Sequence, residues 1–119
     1  MFLQYKDVIT KVTQNMLDEF ERFSPDILLE DGLDLSPYGF HATVIHIPGH
    51  TKGSVAVLTE SGDLIAGDTF SNIDKPGPSP NASDFSQLAD SINRIKELSI
   101  KTVYPGHGSP FSIYEIMLE

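Results

Sequence analysis

Apolar residues return every fourth position over residues 6–23, where Val8, Val12, Met16 and Phe20 form a stripe that Ile9, Leu17 and Phe23 widen. That period predicts an amphipathic helix, stopped by Pro25, whose ring cannot continue it. The stripe reads as buried core, with a partner-binding face as the alternative. A β region is expected next, from about Ile27 to Gly67. In it Ile27-Leu28-Leu29 leads to a turn at Asp31-Gly32. Residues 40–47 (FHATVIHI) read as a strand covered on both faces, and Gly49 breaks it. Residues 54–59 and 63–67 are expected to pair as a hairpin across Glu60-Ser61-Gly62.

Prolines at 76, 78 and 80 make residues 71–83 an expected loop, a rim or lid. A second amphipathic helix is predicted over 84–98, with Phe85, Leu88, Ala89, Ile92 and Ile95 on its buried face. Asp84 followed by Gln87 three residues later resembles a capping box. Thr102-Val103-Tyr104 reads as a short strand halted by Pro105-Gly106, and residues 109–119 begin a short helix. With no repeat, low-complexity run or linker, residues 1–119 are expected to form a single α/β domain.

Composition narrows the function classes. Eight Lys+Arg against seventeen Asp+Glu give a formal charge of -9, with the acids spread along the chain. Such a surface opposes non-specific binding to nucleic acid or anionic membrane, so neither is an expected partner. The absence of cysteine removes disulfides, thiolate metal sites and cysteine nucleophiles together. The N-terminal residues lack a basic stretch followed by an apolar one, and the expectation is a cytoplasmic protein.

Four histidines remain, at 41, 46, 50 and 107. Pro48-Gly49-His50 and Pro105-Gly106-His107-Gly108 each follow a predicted strand, and Ala66-Gly67-Asp68-Thr69 ends a third. Strands that run the same way end on one sheet edge, where ligands usually sit. His50, Asp68 and His107 can therefore converge, and two imidazoles with one carboxylate suit zinc, iron or manganese. From spacing alone, hydrogen-bonded structural histidines are the more usual reading, and a metal site is the alternative. Thr51 and Thr69 are expected to brace the loops through hydroxyl–backbone bonds and Gly53 to permit close packing. His46 is expected to be buried and hydrogen-bonded, and His41 to lie at the surface or an interface.

The strings VIHIPGHTKGSVAVL, LIAGDTF and VYPGHGSP, in that order with a hairpin and a helix between them, resemble the second half of the metallo-β-lactamase-fold hydrolases. The similarity extends from about Asp26 to Pro110. It implies the C-terminal half of an αβ/βα sandwich, a mixed sheet flanked by helices, with two metals at one edge of paired sheets. His50 then resembles the third histidine of the first metal site, Asp68 the carboxylate bridging both metals, and His107 the last histidine of the second. In such pairs two cations lower the pKa of a shared water and stabilise a developing oxyanion.

The family's His-x-His-x-Asp-His signature does not occur in this sequence. It lies in the N-terminal half of the family's domain, and the chain is accordingly expected to be a C-terminal part of a metal-dependent hydrolase, weakly active or inactive alone. No catalytic residue is assigned. Metal is expected to bind below full-site affinity, substoichiometrically or not at all, and one ion shared by all three residues is an open arrangement. An uncovered sheet face and edge invite association. The expected partner is a second copy forming a homodimer, or a complementary N-terminal half that completes the enzyme in trans. A non-enzymatic dimeric interaction module is the alternative. The substrate, a small molecule, is not legible.

Overall fold

The computed structural model describes residues 14, 16 and 18–117. A six-stranded mixed sheet, ordered β1-β2-β3-β5-β6 with β4 against β3, carries one long helix. The strands are β1 (Ala42–His46), β2 (Val55–Thr59), β3 (Asp63–Asn72), β4 (Gly77–Pro78), β5 (Thr102–Gly108) and β6 (Phe111–Ser112). Beyond the helical residues near the N-terminus, the described helices are α1 (Phe85–Lys96) and the single turn α2 (Tyr114–Met117), with a 3₁₀ turn at Ser36–Tyr38.

The chain reverses between β1 and β2 and again between β2 and β3, and β5 lies parallel to β3. β1, β3 and β5 therefore point the same way, and their carboxyl ends share one edge. The turn at 60–62 closes the β2–β3 hairpin as the sequence predicts, with the Gly62 N–H donating to the Thr59 carbonyl at 3.1 Å.

The helix between β3 and β5 covers one sheet face. Leu88, Ile92 and Ile95 meet Ile45, Ile47, Ala56, Leu64, Ala66, Phe70 and Val103 in one core. Each large aliphatic side chain buried there contributes about 1.5–3 kcal/mol. Phe70 and Phe111 pack edge to face, with centroids 6.0 Å apart and rings at 70°. Asp84 caps α1 by accepting from the Gln87 N–H at 3.0 Å. Its own N–H goes to the Gly49 carbonyl, so only half of the capping box forms.

Several expectations are corrected. Gln14, Met16, Asp18 and Glu19 are helical, but the chain leaves the helix at Phe20. Most of the predicted 6–23 helix lies outside the described residues. Met16, Phe20 and Phe23 are exposed and take no part in the core under α1. Ile27-Leu28-Leu29 is exposed and not a strand. The next segment touches β1 only through loop hydrogen bonds and the single bridge Asp34–Thr43. Phe85 and Ala89 face solvent on α1, and Ser91 takes a buried place instead. β3 and β5 run beyond their predicted ends, and residues 71–78 include the end of β3 and all of β4.

The other sheet face is only partly covered. A row of paired residues crosses it from Val44 to Val57, Ile65 and Tyr104. Val44 is buried, whereas Ile65 and Tyr104 are 52% and 40% exposed. An apolar groove of about 460 Å³ lies here, lined by Phe40, Ala42, Val57 and Ile65 among others. Among the described residues no helix is long and apolar enough to cross a membrane.

Candidate metal centre

Three elements ending on one edge deliver the three predicted residues. His50 lies in the loop after β1, while Asp68 and His107 belong to the outer ends of β3 and β5. The β3–β5 ladder shifts register around Gly67, pairs it with Pro105, and resumes with Ser71–His107 and Asn72–Gly108. Proline at 105 does not end the strand, because the bulge lets pairing step past a residue without an N–H. Hydrogen bonding of the Asn72 amide to the Ser109 carbonyl at 2.8 Å closes the far end.

The Asp68 carboxylate stands between the two imidazoles. Its Oδ2 lies 3.7 Å from His50 Nε2, and its Oδ1 lies 3.4 Å from His107 Nε2. Two ligands bound at 2.0–2.1 Å to one tetrahedral ion sit about 3.3–3.4 Å apart. Both separations are near that value and longer than a good hydrogen bond. Each carboxylate oxygen faces a different histidine, the arrangement a bridging carboxylate requires. The donor set thus fits two ions that share Asp68. Among the described residues, no three or more His, Cys, Asp or Glu side chains are gathered tightly enough to hold a metal ion as they stand.

The imidazole of His50 is fixed from behind. Its Nδ1 lies 2.8 Å from the Asn81 carbonyl. A carbonyl only accepts, so Nδ1 carries a proton, and Nε2 is the ring nitrogen turned toward Asp68. Ser79 supports the same carbonyl, donating its hydroxyl to Asn81 O at 2.9 Å. These residues border a cleft of about 320 Å³ that also reaches Phe70 and Ile73. His50 is the more enclosed of the two histidines, with its side chain 27% exposed against 68% for His107.

The remaining polar residues differ from expectation. His46 is exposed, and its Nε2 meets the Lys52 carbonyl at 2.8 Å. It is hydrogen-bonded but not buried, because the bond is made to the loop beside the sheet edge. His41 is exposed as predicted. Thr51 pairs its hydroxyl with Ser54 Oγ at 2.7 Å, a side chain rather than backbone. Thr69 Oγ1 is buried without a hydrogen-bond partner among the described residues, and braces nothing. A side-chain carbon on Gly53 would meet open space, so close packing does not explain that glycine. Gly49, Gly106 and Gly108, which flank His50 and His107, are the tightly packed ones.

Comparison with known proteins identifies the family to which this fold belongs. A family model for the metallo-beta-lactamase superfamily matches residues 3–107, and the chain belongs to that superfamily. A probable metallo-hydrolase of Methanocaldococcus jannaschii is 37% identical over 79 residues, covering 63% of this chain and 37% of the relative. Among solved structures, the metallo-beta-lactamase family protein TTHA1429 from Thermus thermophilus aligns with a TM-score of 0.61 at 28% identity, over 75% of this chain and 31% of that one. TTHA1623, crystallised in a di-iron-bound form, aligns with a TM-score of 0.64 at 28% identity, over 81% and 48%. The chain thus spans about a third to a half of the length of these relatives.

Proposed function

We propose that this chain is the metal-ligating C-terminal part of a metal-dependent hydrolase, in which His50, Asp68 and His107 are shared between two divalent ions, zinc, iron or manganese. The observation that carries the reading is the Asp68 carboxylate, with one oxygen turned to each histidine at 3.4 and 3.7 Å. Bound there, such ions supply Lewis acidity and a nucleophile near neutral pH. The chain's own residues orient them. Asn81 and Ser79 fix the His50 ring, Asp68 sets the spacing, and Phe70 and Ile73 give the cleft apolar walls.

Each ion would have one histidine and one carboxylate oxygen from this chain, fewer than the three protein ligands usual at a catalytic site. Alone, the chain is therefore read as a weak metal binder with little or no hydrolytic activity. The missing ligands would come from a complementary N-terminal half or a second copy, and the apolar row through Ile65 and Tyr104 supports such an association. Hydrolysis of activated esters by the zinc-loaded chain tests this. Near-background turnover is expected alone, with a rise when a chain bearing His-x-His-x-Asp-His is added. Substantial turnover by the isolated chain would contradict the incomplete site.

A further inference from the structure

Pairing between β1 and β2 ends at His46–Val55, and residues 47–50 leave the sheet. Carbonyls that leave a ladder need other donors, especially where the backbone is enclosed. Here they find them in one place. Arg94 Nη1 donates to His46 O at 3.1 Å, and Ser91 Oγ donates to Pro48 O at 2.7 Å. Asp84 N–H donates to Gly49 O at 3.1 Å, and Ser83 gives both its N–H and its hydroxyl to His50 O at 3.1 and 3.0 Å. Gly49 itself lies with φ +143° against the backbone of Leu88, where any side-chain carbon would collide.

α1 and the residue before its cap therefore bind the ligand loop carbonyl by carbonyl. Ser91 is the least expected donor. It sits 5% exposed on the apolar face of α1, between Leu88 and Ile95, where alanine would have better helix propensity. A serine there loses propensity and requires a partner for its hydroxyl, and its partner is Pro48. Pro48 has no N–H of its own, so its carbonyl is the residue's single hydrogen-bonding group.

We infer that Ser91 is a positioning residue for His50, its bond to the Pro48 carbonyl seating the loop so that the His50 ring presents Nε2 to Asp68. The purpose of this clamp rests on the metal reading; its geometry does not, and the two can fail separately.

The test uses the 119-residue chain in two states. In metal-free protein at about pH 8, where imidazole is neutral, long-range proton–nitrogen correlation spectra report which ring nitrogen carries the proton. His50 is expected as a single Nδ1–H tautomer in the wild type, as a mixture in Ser91→Ala, and restored in Ser91→Thr, which keeps the hydroxyl. In zinc competition titrations Ser91→Ala is expected to weaken binding about ten-fold, the lower end for a lost outer-shell partner. Ser83→Ala, which retains the backbone bond, should weaken it less. Ile116→Val, a core change at the opposite end of the sheet, controls for general destabilisation. An Nε2–H wild-type tautomer, a Ser91→Ala spectrum identical to wild type, or an equal affinity loss in Ile116→Val would overturn the inference. Absence of zinc binding with the tautomer change intact would overturn the metal reading alone.

Discussion

The backbone of Gly106 lies against the Asp68 carboxylate, so close that a side-chain carbon at 106 would overlap Oδ1. Asp68 can stand between the two histidines because β5 presents no side chain there. Replacing this glycine by alanine must push the carboxylate aside or bend the strand. Gly106→Ala is expected to cost about 1–3 kcal/mol in denaturant unfolding, the usual cost of forcing an extra methyl into a packed site. It should also weaken zinc binding as severely as removing Asp68. Retention of wild-type affinity would show that the observed carboxylate position is not the ligating one.

Protonation of Asp31 should loosen the base of the ligand loop. The Arg94 guanidinium, at 2.9 Å, holds this carboxyl below the usual carboxylate range, and the His46 N–H at 2.8 Å lowers it further. A depressed folded-state pKa adds stability above the unfolded value near 4, and that stability is lost as pH falls through the folded value. Both partners are almost half exposed, so the gain is under about 1 kcal/mol. Unfolding midpoints should therefore separate wild type from Asp31→Asn at pH 7 and converge as pH falls below the ordinary carboxylate range. A difference that persists undiminished in acid would assign the effect to something other than this charge.

Association should follow the exposed sheet face. In light scattering, a homodimer would have about twice the 13.1 kDa chain mass. Ile65→Asp, placed in the middle of the apolar row, is expected to give a monomer with unchanged circular dichroism. A wild-type chain that stays monomeric at all concentrations would contradict the homodimer and leave the complementary half as the partner.

The sequence revealed what local chemistry dictates. β-branched runs marked β1 and β2, glycine and serine marked the hairpin turn, and four-residue periodicity with an acidic cap marked α1. The three strand-end motifs named His50, Asp68 and His107, and the structure brings them to one edge. Less legible was whatever depends on distant pairing. Pro105-Gly106 looked like a strand end because nothing local shows that a bulge at Gly67 lets β3 and β5 resume. Ser91 was skipped as a polar residue in an apolar stripe, its partner being forty-three positions away. Phe85 satisfied the helical period but faces solvent, since the buried arc of α1 begins at Leu88. A buried serine within an otherwise apolar helix face was the one available signal of the clamp.

Zinc affinity across the ligand variants tests the central claim most directly. Wild type, His50→Ala, His107→Ala and Asp68→Ala would be titrated against a chromophoric chelator, with circular dichroism confirming the fold of each. Weak but measurable binding is expected in the wild type, reduced in each histidine variant and abolished in Asp68→Ala, whose carboxylate serves both ions. Zinc binding that survives all three substitutions, or a wild-type chain that takes up no zinc at any loading, would contradict the assignment of these residues as metal ligands.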